Sequence, residues 1–123
     1  MIQIGNRTII NEFSFIDGRG GLCIGNDCAI SVYSKIITGS HDYKSCDFKY
    51  ITNPATIGNN VWICANATVV SPAVIENRCI IGAGSVFSGH AIENGIYNGN
   101  PALFKRMRCL ELDYQQDWKP YFR

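Results

Sequence analysis

The chain contains two histidines, His41 and His90, and histidine is the side chain that most readily exchanges a proton near neutral pH. His41 ends the run Thr38-Gly39-Ser40-His41, where a regular sequence pattern breaks off before a longer irregular stretch. An imidazole at that point would stand on a rigid strand end beside an extruded loop. We therefore predict that His41 is a general base. A zinc site of three imidazoles would need a further histidine, so we expect no catalytic metal.

Each histidine also has a simpler interpretation as a surface residue. His90 follows Ser88-Gly89 at a predicted corner, where a hydrophilic side chain simply meets water. The same interpretation is open for His41, and its position beside the one long break in the pattern favours the catalytic role instead. We interpret His90 as a solvent-facing residue.

A six-residue repeat surrounds both histidines. Each unit opens on an aliphatic or aromatic residue and carries a residue no larger than valine at its fifth place. The openers are Ile4, Ile10, Ile16, Ile24, Ile30, Ile36, Ile57, Ile63, Val69, Ile75, Ile81 and Phe87. This period predicts an all-β fold, a parallel β-helix in which the openers point into a narrow prism and the small residues fit at its corners.

The breaks in the repeat predict how the domain is divided. Three units make one coil, so the openers fall into four coils, and the long break at about 42–56 predicts an extruded loop. Residues 1–92 would form the β-helix with this loop. Residues 93–123 would form a C-terminal capping segment and tail, in which turn signals at Gly95, Gly99 and Pro101 precede a short helix over 103–112.

Composition excludes several classes of function. The net charge is +1, and the basic residues are scattered apart from Lys105, Arg106 and Arg108, so there is no positive face of the size that nucleic acid requires. No apolar stretch is long enough to cross a bilayer, and no export signal precedes the first repeat. We expect a cytoplasmic location, in which the six cysteines would be free thiols.

An ordered set of motifs resembles the hexapeptide-repeat acyltransferases. They are Ser40-His41-Asp42 before the loop, Ile57-Gly58-Asn59-Asn60-Val61-Trp62-Ile63, Ile81-Gly82-Ala83-Gly84-Ser85-Val86 and Gly99-Asn100-Pro101-Ala102. Within that family the chain is most similar to the O-acetyltransferases that modify galactosides, maltose and cell-surface polysaccharides. The resemblance implies a left-handed β-helix, and a homotrimer with acetyl-coenzyme A bound between subunits.

The resemblance also implies roles for individual residues. His41 would take the proton of the acceptor hydroxyl as it attacks the thioester, without a covalent enzyme intermediate. The donor would contact Ala65 and Ala83 through main-chain amides, Ser88 further along the pantetheine arm, and Lys105 and Arg106 at its phosphates. The acceptor would contact Asp17 and Asn11. Trp62 would line the cleft for both substrates.

These expectations lead to one function and two alternatives. The first expectation is an acetyl-coenzyme A-dependent O-acetyltransferase acting on a sugar hydroxyl in surface polysaccharide biosynthesis. The same base could serve an amino group, as in an N-acetyltransferase acting on an amino sugar or an antibiotic. The third interpretation is a non-catalytic β-helix scaffold, which would not bind coenzyme A.

Overall fold

The computed structural model describes residues 1–108 and 114–116. These residues form strands β1 to β15 and no helix. Most of the strands are two or three residues long and pair in parallel with the strand one coil away, so they wind into a β-helix with three walls. The all-β solenoid expected from the repeat is confirmed.

The three walls run along the axis of the helix. Wall 1 consists of β1 (Ile2–Ile4), β4 (Leu22–Ile24), β9 (Ala55–Ile57) and the second halves of β11 (Thr68–Ile75) and β13 (Val86–Ala91). Wall 2 consists of β2 (Ile9–Ile10), β5 (Ala29–Ile30), β10 (Trp62–Ile63), β12 (Ile80–Ile81) and β14 (Gly95–Gly99). Wall 3 consists of β3 (Phe15–Ile16), β6 (Lys35–Ile37) and the first halves of β11 and β13.

The openers stack directly on one another, as the period of six predicts. In wall 2, Ile10 pairs with Ile30, Ile30 with Ile63, Ile63 with Ile81, and Ile81 with Tyr97. The three central isoleucines are fully buried. Burial of each such side chain stabilises the fold by roughly 1.5–3 kcal/mol, so the stacked rows provide most of the core.

Small residues fill the corners between walls. The corner at Cys64–Ala67 is a tight turn in which Ala67 N donates to Cys64 O at 3.2 Å, and Asn66 adopts a left-handed backbone with φ 58°. Ala67 itself is fully buried, as are Cys28 and Cys79 at equivalent places. A larger side chain there would meet the facing walls. The five cysteines of the described residues are unpaired thiols.

The two ends of the prism differ. In the first coil Ile4 and Ile10 are 46% and 37% exposed. At the other end the repeat continues beyond Phe87 into a partial fifth coil, in which Ala91 stacks on Ile75 and Tyr97 on Ile81. Ala91 follows Phe87 by only four positions, and this shortened step hides the fifth coil from the six-residue pattern.

The expected helix over 103–112 is wrong over its described part. Residues 102–107 form β15 (Ala102–Met107), which pairs antiparallel with β14. The last parallel strand of wall 2 would otherwise leave an edge of unpaired backbone groups, and pairing with β15 satisfies them. Residues 109–112 of the expected helix lie outside the described part of the chain.

The extruded segment leaves wall 3 after Ile37 and returns at Ala55. It is a β-hairpin of β7 (Gly39–His41) and β8 (Tyr50–Thr52), in which His41 pairs with Tyr50. At its root Asn53 N donates to Thr38 O at 3.0 Å. His41 therefore stands on an ordered strand that projects from the prism.

Residues 114–116 lie along the corner between walls 1 and 2. Asn60 Nδ2 donates to Tyr114 O at 2.6 Å, and Gln116 N donates to Asp27 Oδ1 at 3.1 Å. Arg108 joins these contacts through bonds to Asn60 O at 2.9 Å and to the Tyr114 hydroxyl at 3.0 Å. These contacts fasten the C-terminal segment to the middle coils.

Candidate functional site

His41 lies at the end of β7 with its imidazole held by the hairpin. Its Nδ1 is 2.9 Å from the carbonyl oxygen of Phe48. A carbonyl oxygen can only accept, so Nδ1 carries a proton, and in the neutral ring Nε2 then presents its lone pair. The Phe48 ring stacks on the imidazole with centroids 3.7 Å apart and planes 9° from parallel. This is the tautomer and the orientation that a general base requires.

The turn that delivers the Phe48 carbonyl is shaped by backbone bonds. Asp42 N donates to Lys49 O at 2.8 Å and continues the hairpin ladder by one step. The Asp42 carboxylate accepts from Lys44 N at 3.0 Å, so it organises the turn rather than the imidazole. Phe48 has a left-handed backbone, with φ 55°, which turns its carbonyl toward His41.

His90 has a different environment from His41. It lies on the outer face of wall 1, in β13, where it pairs with Val74. Its Nε2 is hydrogen-bonded to the Glu76 carboxylate, and the His90 side chain is 61% exposed. The exposed position of His90 on the outer face of wall 1, with Glu76 as its partner, agrees with its interpretation as a surface residue.

Ala65 and Ala83 occupy equivalent exposed positions on neighbouring coils, where wall 2 turns into wall 3. We call this corner, residues 31–34, 64–67 and 82–85, the amide edge. Gly84 N donates to Ala65 O at 3.0 Å and links the two turns. Within the described residues the N–H groups of Ala65 and Ala83 donate to no protein acceptor. Two backbone donors one coil apart, about 4.8 Å, are therefore available to a ligand.

Cys64 precedes Ala65 at the same edge and is nearly buried. Burial raises the pKa of its thiol, and the nearby positive charge of Arg108 opposes that change. A thiol with a raised pKa holds less of the reactive thiolate at neutral pH. The raised pKa thus disfavours Cys64 as a nucleophile.

Trp62 and Ser88 lie on opposite sides of wall 3. Trp62 faces outward from wall 2, is 43% exposed, and donates from Nε1 to Ser31 Oγ at 3.0 Å. Ser88 is exposed and donates from Oγ to Pro72 O at 3.3 Å. It lies where wall 3 turns into wall 1, at the corner from which the hairpin leaves. We call this corner, residues 38–54, 71–72 and 88, the hairpin edge.

Lys105 and Arg106 lie on β15 rather than on a helix. Arg106 pairs with Ile96 and Phe104 with Tyr97, so Lys105 is the extra residue of a bulge. Both side chains are exposed, and in the described part of the chain neither forms an ion pair. Lys105 and Arg106 are therefore available to an anionic ligand. Arg108 is not, because its guanidinium donates to the Asn60 carbonyl and to the Tyr114 hydroxyl.

The structure does not bring Asp17 and Asn11 together. In the first coil, Asn11 lies at the corner that continues the amide edge, and Asp17 lies at the corner that continues the hairpin edge. Asp17 is 4% exposed, and its carboxylate accepts hydrogen bonds from Arg19, Thr38 and Gly39. The Arg19 guanidinium, followed by these backbone donors, holds the pKa of Asp17 well below its usual range. This geometry favours a role in shaping the hairpin over the expected contact with an acceptor.

The predicted residues thus divide between two edges of the same wall. His41, Ser88 and Asp17 are at the hairpin edge, and Ala65 and Ala83 are at the amide edge. The described residues of a single chain enclose no ligand-sized cavity. A site that uses both groups would have to form where the hairpin edge of one chain meets the amide edge of another.

Sequence reasoning missed the residues that hold His41. Phe48 stacks on it, Tyr50 packs edge-on with ring centroids 5.5 Å apart, and Arg19 lies 5.8 Å from the centre of the Tyr50 ring. The cluster of aromatic residues after His41 was the available signal. These residues did not indicate which side chain would contact His41, because the six-residue repeat does not encode the pairing across the hairpin.

The described residues form neither a metal-binding cluster nor a membrane-spanning helix. No three metal-ligating side chains among them converge on one point. None of their segments is a helix with the length and apolar character needed to cross a bilayer.

Comparison with known families identifies the repeat. The bacterial transferase hexapeptide family, described by six repeats, matches residues 54–89. These residues include the third and fourth coils and the two alanines of the amide edge.

Similar proteins extend the match beyond the repeat. The chain is 33% identical over 89 residues to the putative colanic acid biosynthesis acetyltransferase WcaF of Escherichia coli K12, covering 72% of this chain and 49% of that protein. It is 29% identical over 116 residues to the putative lipopolysaccharide biosynthesis O-acetyl transferase WbbJ of the same organism, covering 83% of this chain and 58% of that protein. The chain thus spans about half the length of these relatives.

A solved structure shows the same fold. The hexapeptide-repeat acetyltransferase VCA0836 of Vibrio cholerae, in complex with acetyl-coenzyme A, superposes with a TM-score of 0.81 at 28% identity. The match covers 86% of this chain and 60% of that one.

Proposed function

The chain belongs to the hexapeptide-repeat transferases, and on that premise we propose that it is an acetyl-coenzyme A-dependent O-acetyltransferase that acts on a sugar hydroxyl. The acceptor would be part of a surface polysaccharide or its precursor. Relatives named for colanic acid and lipopolysaccharide biosynthesis support this acceptor class. The solved complex with acetyl-coenzyme A supports the donor.

One observation carries the chemical part of the proposal. The Nδ1 of His41 donates to the Phe48 carbonyl, which leaves the Nε2 lone pair free at the tip of an ordered hairpin. We propose that Nε2 takes the proton of the acceptor hydroxyl as its oxygen attacks the thioester carbonyl. The proton then passes from Nε2 to the sulfur of coenzyme A as the carbon–sulfur bond breaks. General-base assistance of this kind contributes roughly 10²–10⁴ in rate.

The amide edge suits the donor. The free N–H groups of Ala65 and Ala83 would bind the pantetheine arm and the oxyanion that develops at the carbonyl. Ser88 would contact the arm further along, and Lys105 and Arg106 would meet the phosphates as charge-assisted partners. The raised pKa of Cys64 favours direct transfer over an acetyl-cysteine intermediate.

A homotrimer would bring the two edges together. His41 and Ala65 lie on opposite sides of wall 3 in one chain, so the hairpin edge of one prism would have to face the amide edge of its neighbour. Trp62, exposed on wall 2 beside the amide edge, would then line the cleft for both substrates. The cytoplasmic location and the Asn11 contact with the acceptor stay predictions from the sequence.

The test is acetyl transfer from acetyl-coenzyme A to a panel of sugars, oligosaccharides, amino sugars and aminated antibiotics, followed by mass spectrometry. Mild alkali cleaves an acetyl ester and leaves an acetyl amide intact, so the same products separate O-transfer from N-transfer. We expect an alkali-labile product on a sugar. An alkali-stable product would establish the N-acetyltransferase. A protein that neither transfers acetyl nor binds coenzyme A would be the scaffold.

A further inference from the structure

A buried carboxylate fastens the root of the hairpin to the first coil. Asp17 Oδ2 accepts from Thr38 N at 2.8 Å and from Gly39 N at 2.9 Å. The Thr38 hydroxyl also donates to Asp17 O at 2.9 Å. Thr38 and Gly39 are the residues through which the chain leaves wall 3, so these bonds set the direction in which β7 departs.

Arg19 completes this attachment and extends it to the second hairpin strand. Its Nε lies 2.8 Å from Asp17 Oδ1 and its Nη2 lies 2.9 Å from Asp17 Oδ2, so the pair is bidentate. The guanidinium carbon is 5.8 Å from the centre of the Tyr50 ring. Tyr50 pairs with His41 and packs edge-on against its imidazole. A continuous path of contacts therefore runs from Asp17 through Arg19 and Tyr50 to His41.

Gly39 shows how closely this path is packed. A Cβ atom built at Gly39 would lie 2.7 Å from the Tyr50 hydroxyl and 2.8 Å from the Arg19 guanidinium carbon. Its φ is not in the left-handed region, so a larger residue at position 39 would be opposed by these two side chains rather than by backbone conformation. The guanidinium lies directly across the hairpin root.

We propose that Asp17 and Arg19 are positioning residues, which fix the hairpin and the Tyr50 ring so that the His41 imidazole keeps its bond to the Phe48 carbonyl. The inference rests on the proposed function, in which His41 is the base. It differs from the acceptor contact expected for Asp17, because the carboxylate faces inward and acts through the hairpin. A misplacement of about 1 Å at the reacting atoms can cost about 10²-fold in rate, so a device of this kind has a measurable effect.

The chain supplies a matched control pair. Arg7 and Asp27 form a second bidentate pair, with Nε to Oδ1 at 2.8 Å and Nη2 to Oδ2 at 3.0 Å. Asp27 is buried like Asp17, and both arginine side chains are largely exposed. The control pair lies at the corner between walls 1 and 2, away from the hairpin. It has the chemistry of the first pair without the path to His41.

The experiment compares Arg19→Ala with Arg7→Ala in the full chain, with kcat and KM for both substrates. The second readout is the nitrogen NMR of the imidazoles, which reports the tautomer of His41 with His90 as internal reference. We expect Arg19→Ala to lower kcat about tenfold, to leave KM for acetyl-coenzyme A within about twofold, and to reduce the Nδ1-protonated tautomer of His41. Arg7→Ala should leave all three near wild type. Arg19→Lys keeps the positive charge but cannot form the bidentate pair with Asp17, so it should recover only part of kcat.

Equal behaviour of the two alanine variants in both readouts would overturn the inference. The NMR readout needs no turnover, so it judges the positioning role even if His41 is not the base. Should His41→Ala retain wild-type transfer, the proposed function fails, and the tautomer shift alone decides whether Arg19 positions His41. Should His41→Ala be inactive while Arg19→Ala keeps both kcat and tautomer, the positioning inference alone fails.

Discussion

Wall 2 and the hairpin both consist of side chains packed in rows, but only one of these rows is buried. Ile30, Ile63 and Ile81 of wall 2 are 0% exposed and stack in strict register. Phe48 and Tyr50 of the hairpin pack on His41 while they remain 69% and 48% exposed. Stability in the walls therefore comes from apolar burial, whereas geometry in the hairpin comes from a few directed contacts. Substitutions in the two regions should separate stability from chemistry.

The largest expected effect on stability is in the walls. Ile75 is 1% exposed and belongs to the same stacked row of wall 1 as Ile4, which is 46% exposed. Ile75→Ala should lower the free energy of unfolding by about 2–5 kcal/mol, and Ile4→Ala by clearly less, because the cavity forms only where the side chain is enclosed. Urea unfolding measures both. The kcat of folded Ile75→Ala should stay within about twofold of wild type, and a large loss of kcat would break the separation.

The opposite result is expected at the root of the hairpin. Gly39→Ala places a Cβ against the Tyr50 hydroxyl and the Arg19 guanidinium, which are movable ends of side chains. We expect kcat to fall about tenfold while the free energy of unfolding changes by less than about 1 kcal/mol. The control is Lys49→Ala in the same hairpin, because the Lys49 side chain is not among the three nearest atoms that a Cβ at Gly39 would meet. If Gly39→Ala keeps wild-type kcat, the close packing at the root does not serve His41.

A smaller effect should appear in acid. Arg19 holds the pKa of Asp17 below its value in the unfolded chain, so the unfolded chain binds more protons once the pH falls below about 4. The stability contributed by the carboxylate is present above that pH and is lost as the pH falls through the folded-state pKa. Asp17→Asn should be less stable than wild type at pH 6 and should lose less on acidification. Urea unfolding at several pH values between 6 and 3 tests this, and parallel curves for the two proteins would contradict it.

The sequence predicted the walls because the six-residue spacing of the openers indicates which residue of each coil points inward and which residue of the next coil it stacks on. The four coils follow from openers six residues apart, and their pairing in the structure reproduces that order. The fifth coil was hidden because Phe87 and Ala91 are only four residues apart. The helix expected after Pro101 rested on the turn signals that precede it, and these signals do not distinguish a helix from a strand that turns back to pair with β14.

The site was less predictable because its geometry depends on contacts between distant coils. His41 could be found from its place before the break in the repeat. The acceptor of its Nδ1 hydrogen bond could not be found in this way, since the Phe48 carbonyl reaches His41 only after the hairpin closes. Arg19 reaches Tyr50 only because the first and second coils stack. The six-residue repeat contains no information about these two contacts.

The most direct test of the central claim compares His41→Ala with His90→Ala on the best acceptor, with transfer measured by mass spectrometry and coenzyme A binding by calorimetry. The account predicts that His41→Ala loses at least about 10²-fold in kcat while it binds coenzyme A like wild type. His90→Ala should transfer within about twofold of wild type, because its imidazole lies on the outer face of wall 1, where its partner is Glu76 rather than a residue of the hairpin. Transfer by His41→Ala at the wild-type rate, or equal losses in the two variants, would contradict the assignment of His41 as the base.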